Sequence, residues 1–321
     1  MTTTPGNLLA DDAVLEKVAT GAEWAEGPLW IPARSAVRFS DIPGNRILEY
    51  REATGDLEVY AAEAEFTNGR ALDQAGAVIQ CSHGRRAIER DTGTADDAAP
   101  SVTTLVDSYN GRRLNSPNDV VVKSDGTIWF SDPSYGIQKD TEGHPGREEY
   151  GDRWVFRFDP ASGELTPAVI DVEVPNGLAF SPDESILYVS DTSRGTPAMD
   201  GGERLHGHAI HAYDVVGGRY ARNGRVFAEV APGVPDGFRV DVYGNVWSSS
   251  QEAVQVYSPA GEHVLRIPVP ETVSNVCFGG DDGATLYMTA STSLYRIRTA
   301  VTDAAAALRT GAQEKGSTSE A

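Results

Sequence analysis

Two cysteines in 321 residues, Cys81 and Cys277, leave no room for a disulfide framework or a cysteine-based zinc site. Two buried free thiols suit a reducing compartment. Long apolar runs are missing too. No stretch approaches the roughly 18 residues of a membrane span. The opening MTTTPGNLLADDAV has neither the basic nor the apolar region of a secretion signal. The expectation is a cytoplasmic protein with no membrane partner. Basic residues are scarce, 27 Lys and Arg against 47 Asp and Glu, for a formal charge of −20. Such a charge repels nucleic acid over long range, so that partner is not expected either. The motifs G-x-S-x-G, H-E-x-x-H, the P-loop and the dinucleotide G-x-G-x-x-G are all absent.

What is present is a repeat. VPNG at 174–177 and VPDG at 234–237 each lead into a short apolar run, a turn rich in Asp, Gly or Pro, and a β-rich run ending in small polar residues. SPND at 116–119 opens the same pattern, and AEGPLW, TNGRAL and SNVCF open three more worn copies. Aligning the six puts one polar residue at each head: Glu26, Asn68, Asn118, Asn176, Asp236 and Asn275, spaced by 42, 50, 58, 60 and 39 residues. Periods near ~40–50 residues with several short strands per unit indicate a β-propeller. The expectation is an all-β, six-bladed propeller over residues 1–299, one domain although the length alone suggests two. Only three strands follow the last head, and a strand near residues 13–20 is expected to complete that blade and close the ring. Residues 300–321, Ala-rich and then polar, are expected to form a flexible tail.

In a propeller the first strands line the central channel, so their heads converge at one mouth. Asn and Asp before Gly serve turns, which explains some of these residues locally. It does not explain Glu26 or the matching register. A ring of side-chain oxygens with two carboxylates suits one hard divalent cation, with Ca2+ first and Mg2+, Mn2+ and Zn2+ as alternatives. Asp41, His83, Asp132 and Asp191 end the second strands at the same mouth. The long connections 135–153 and 192–208 follow there, and the loop before Asn118 adds Arg112, Arg113 and Asn115. Long loops over one face of a rigid scaffold usually carry substrate contacts.

EGPLW, RLNSPNDVVVKSDGTIWFSDPSYG, VPNGLAFSPDE with LYVSDT, and VPDGFRVDVYGNVW together resemble the gluconolactonase / senescence-marker-protein (regucalcin) / luciferin-regenerating-enzyme family. The resemblance implies hydrolysis of a small lactone to its hydroxy acid, with a divalent metal held by Glu26, Asn176 and Asp236. Asn118 matches an asparagine that serves as metal ligand or substrate contact, and Asp236 matches the general base. Glu26 and Asp132 remain alternatives for the base. Substrate contacts are expected from Asn118, Arg113, Asn115, His83 and Asp132. One departure stands out: Ser116 replaces an arginine that contacts the sugar lactone in animal members, and Arg113 is the candidate substitute. Hydrolysis of another electrophile, such as an organophosphate, and a non-enzymatic ligand-binding propeller are the competing readings.

Overall fold

The computed structural model describes residues 6–93, 100–195 and 207–309. Six four-stranded antiparallel sheets stand around one axis, neighbours meeting through their first strands. Blade 1 comprises Ala25–Ile31, Ala36–Asp41, Arg46–Arg51 and Leu57–Ala62. Blade 2 comprises Thr67–Leu72, Val78–Ser82, Ala87–Asp91 and Val102–Val106. Blade 3 comprises Val120–Val122, Ile128–Asp132, Trp154–Asp159 and Glu164–Val169. Blade 4 comprises Pro175–Phe180, Ile186–Asp191, Ala209–Val216 and Tyr220–Glu229. Blade 5 comprises Phe238–Val240, Val246–Ser249, Ala253–Tyr257 and His263–Pro268. Blade 6 joins Val273–Gly279, Thr285–Ala290 and Ser293–Arg298 to Glu16–Thr20, which pairs antiparallel with Ser293–Arg298. The ring is thus closed by an N-terminal strand.

Local chemistry sets the height of each blade. In five blades an aspartate opens the turn between the first two strands. Asp73, Asp125, Asp183, Asp241 and Asp282 each accept the backbone N–H two residues on, at 2.8 to 3.1 Å. That fixes the bend, and so fixes where the strand begins at the opposite mouth. Second strands such as IWFSD of Ile128–Asp132 are buried on both faces because neighbouring blades cover both.

The seams between blades are mostly apolar. Where blade 6 meets blade 1, Trp30 stacks on Tyr287 at 5.8 Å, with Phe39, Cys277 and Leu294 packed around them. The seam between blades 1 and 2 differs. There buried Arg38 holds Glu49 at 2.8 Å and Asp91 at 3.5 Å, with its guanidinium 3.4 Å from the centre of the Tyr60 ring.

The C-terminal expectation is corrected in part. Ala300 N–H donates to Leu8 O and Val242 N–H donates to Thr302 O, both at 2.9 Å. Val301 and Ala304 are buried, and residues 304–309 form a short helix at the far mouth of the channel. Alanine is the best helix former, so a run without strand pattern still folds when a surface is there to cover it. Residues 310–321 lie outside the described residues. No helix among the described residues is long and apolar enough to cross a membrane.

Candidate metal and active centre

The polar heads meet where the first strands begin. Glu26, Asn68, Asn118 and Asn176 are buried there, and Asp236 is half-buried. What brings them so close is the residue after each head. A Cβ on Gly27 would strike the carbonyl of Asn68, one on Gly177 that of Asp236, and one on Gly237 the side chain of Asn275. Gly69 N–H donates to Asn118 O at 2.8 Å, and Gly177 N–H to Asp236 O at 3.2 Å, so blades 2 and 4 lock onto the heads of blades 3 and 5. Of the four glycines only Gly27 has a left-handed φ, +52°. The others are required by contact, not by a turn.

This lock also corrects the alignment of the sixth blade. Gly237 N–H donates to Ser274 O at 2.8 Å, which makes Ser274 the counterpart of the other heads. Asn275 stands one place later, at the glycine position, as Asp119 does in blade 3. Both fold back identically: Val120 N–H donates to Asp119 Oδ1 at 2.9 Å, and Val276 N–H to Asn275 Oδ1 at 2.8 Å. Blades 3 and 6 face each other across the ring, and the Asn275 carboxamide lies close enough to Asp119 to favour its charged form. Asn275 Nδ2 also donates to Glu26 Oε2 at 3.3 Å, and Arg239 Nη1 reaches Asp119 Oδ2 at 3.5 Å. The heads therefore rest on a floor.

The electrostatics of the two layers point one way. Glu26, Asp119 and Asp236 against the single Arg239 leave two uncompensated negative charges. Burial raises the Glu26 carboxyl to about 7, with Asp119 adding to it. Asp236 is raised well above the usual carboxylate range by burial first, then by Glu26 and Asp119. A cation beside them would favour the ionised form of both carboxylates. The set is oxygen-only, and no group of three or more His, Cys, Asp or Glu that could hold a metal occurs among the described residues. Glu26 and Asp236 with the carboxamide oxygens of Asn118 and Asn176 fit one hard divalent ion, its shell completed by water.

The connection 133–153 walls the mouth. His83 Nδ1 lies 2.9 Å from Glu142 O, and Nε2 lies 3.4 Å from Asn68 Nδ2. A carbonyl can only accept, so Nδ1 carries the proton and Nε2 accepts from Asn68. Burial lowers the His83 pKa and keeps the ring neutral. Gly136 packs against that imidazole. On the opposite side the Tyr135 hydroxyl lies 2.6 Å from Thr192 Oγ1. Burial raises the Tyr135 pKa, and the charge of Asp236 raises it further.

Three expected substrate contacts belong elsewhere. Asp132 is fully buried, with Oδ1 accepting Ser116 N–H and Oδ2 accepting Asn115 N–H, both at 2.8 Å, and Oδ2 also takes Tyr150 O–H at 2.9 Å. Asp41 and Asp191 do the same for the residues before Glu26 and Asn176. These carboxylates hold the entry to a head strand and are not free to act as base. Asn115 is fully buried and spends Nδ2 on Asp132 O, Tyr150 Oη and Asp152 O. Arg113 is exposed, its Nη2 donating to Arg85 O, so it does not replace the missing arginine. Ser116 itself anchors the wall, donating to Pro133 O at 2.7 Å and accepting Gly136 N–H at 3.0 Å. Of the second long connection, residues 196–206, with Arg204 and His206, lie outside the described residues. Sequence reasoning missed Asp119, Arg239 and Tyr135. Asp119 carried a signal, since it fills the place of a glycine in four other copies.

Residues 24–292 match the family described as the SMP-30/Gluconolactonase/LRE-like region. The gluconolactonase of Zymomonas mobilis subsp. mobilis is 31% identical over 303 residues, covering 89% of this chain and 81% of that protein. The 6-deoxy-6-sulfogluconolactonase of Pseudomonas putida is 37% identical over 272 residues, 83% of this chain and 82% of that one. The solved structure of XC5397, a gluconolactonase from Xanthomonas campestris, has a TM-score of 0.80 at 37% identity, covering 91% of both chains. A closed six-bladed ring, the channel heads and the match over most of the chain agree: the protein belongs to the SMP-30/gluconolactonase/LRE-like family.

Proposed function

We propose that the protein is a metal-dependent lactonase that opens a small sugar-acid lactone, such as gluconolactone, to its hydroxy acid. The observation that carries the reading is the pair of reluctant carboxylates, Glu26 and Asp236, set among carboxamides at the mouth. A divalent ion, Ca2+ first, held by Glu26, Asn118, Asn176 and Asp236, would polarise the ester carbonyl and steady the charge developing on its oxygen. Asn68, its amide nitrogen committed to His83, offers its oxygen to a substrate hydroxyl. Asp236 takes a proton from the attacking water as the new C–O bond forms at the carbonyl carbon. The ring C–O bond breaks, and the proton passes to the departing alkoxide oxygen. Tyr135 and the 133–153 wall limit the room beside Asp236 and keep bulk water back. Both cysteines are buried and free, which fits the proposed cytoplasmic location.

The test is a lactone panel with chelated protein and with Ca2+, Mn2+, Mg2+ or Zn2+ restored. Turnover should vanish on chelation and return with at least one ion. Asp236→Asn should weaken calorimetric metal binding and also lose ~10²–10⁴-fold in kcat at saturating metal, the usual contribution of a general base. Full rescue by excess metal would reduce Asp236 to a ligand. Full activity in Asp236→Asn without metal would overturn the reading.

A further inference from the structure

Beneath the Asp119–Asn275 floor, the far half of the channel holds a cavity of about 330 Å³. That matches the small end of ligand pockets, which start near ~300 Å³. Leu29, Leu72, Val121, Phe180, Val240 and Phe278 give it an apolar wall, and the 304–309 helix covers it. Three guanidinium groups, Arg70, Arg239 and Arg309, and three carboxylates, Glu184, Asp282 and Asp303, break that wall; Glu184 and Asp282 are spent on Lys123 and Arg298 at 2.9 and 2.6 Å. Arg239 is buried and uses Nη1 on Phe238 O at 2.8 Å and on Asp119. Arg309, from the helix, makes no hydrogen bond or ion pair with the described residues; burial first and Arg239 after it depress its pKa, against the pull of Asp303 in the same wall. Arg70 is fully buried without a carboxylate partner among the described residues, and its Nε has no acceptor. Guanidinium groups gathered in a largely apolar enclosure repel each other, and one anion with an apolar body set between Arg239 and Arg309 offsets that repulsion.

We propose that this cavity is a second ligand site, separate from the metal-bearing mouth, which takes a small organic carboxylate between Arg239 and Arg309. The apolar part of the ligand lies among the channel side chains, and its carboxylate accepts from the two guanidinium groups. The site does not depend on the lactonase reading.

Benzoate and its neutral analogue benzyl alcohol, titrated calorimetrically into the full-length metal-loaded protein, provide the test. Benzoate should bind at least about tenfold tighter than the alcohol, the worth of one charge-assisted hydrogen bond. Arg309→Gln should erase that preference while leaving lactone turnover unchanged. Ala306→Phe, which fills the cavity from the helix without removing charge, should abolish binding of both. The proposal is overturned if benzoate does not bind, if the alcohol binds as well, if Arg309→Gln changes nothing, or if chelation or gluconolactone displaces benzoate.

Discussion

Gly27, Gly69, Gly177 and Gly237 show how one absent methyl group can shape a site, because each lets a blade touch the start of the next. Gly177→Ala forces a Cβ into Asp236 O. Overpacking of this kind costs ~1–3 kcal/mol, and here the displaced carbonyl belongs to a proposed metal ligand. Urea unfolding should show that loss, and metal affinity should fall with it. An unchanged affinity would mean the ring relaxes elsewhere. Asp132 gives a pH-dependent test. Burial pushes its carboxyl up to about 7, against the pull of the Asn115, Tyr150 and Ser116 donors. A raised folded pKa contributes stability that is fully present below the unfolded value near ~3.9 and is lost as pH rises through about 7. Wild type should therefore lose stability relative to Asp132→Asn between about pH 4 and 7, followed by thermal melting. Parallel melting curves would mean that the three donors outweigh burial. Five of the six heads were legible in the sequence because polarity repeats with the period. The sixth was misread, since a polar match favours Asn275 over Ser274 and only the backbone lock tells them apart. Arg113, Asn115 and Asp132 were misplaced for a related reason. Sequence puts them near the mouth but does not say which way a side chain is spent.

At the level of strands and seams, the hairpins announced themselves through alternation and turn aspartates, and the closing strand through the shortfall in the last blade. The 304–309 helix did not, because six residues carry too little pattern and its stability comes from the surface beneath it. The ionic seam between blades 1 and 2 was equally hidden, as Arg38, Glu49 and Asp91 look like surface charges in a β-rich run. Arg38→Met tests what that seam contributes. Among the described residues it leaves Asp91 with only the Tyr60 hydroxyl at 2.7 Å as a side-chain hydrogen-bond partner, while Glu49 keeps Arg34 at 2.7 Å and Arg51 at 3.2 Å. Stranding a buried charge typically costs ~3–5 kcal/mol, and the surviving Arg34 contact should hold the loss to the lower end. Adding Asp91→Asn should restore part of it in denaturant unfolding. If the double variant is no better than the single one, packing against Tyr60 is what matters, not charge.

Across the whole molecule, Asn275 meets Glu26 and Arg239 meets Asp119 in the channel beneath the heads. With substrate turned over at the mouth above them, lactone and hydroxy acid share one doorway. They differ in charge, one neutral and the other an anion formed inside a protein of net charge −20. The molecule's own field then acts as a one-way turnstile, indifferent to arrivals and repelling departures outward. Salt should weaken the turnstile, since the screening length shrinks from ~30 Å at 0.01 M to ~10 Å at 0.1 M. Inhibition by added hydroxy acid should tighten over that range while KM for the neutral lactone stays level. If both constants move together, salt is acting on the metal or the fold. If neither moves, the acid leaves without help from the field, and the acidity of the chain has no part in turnover.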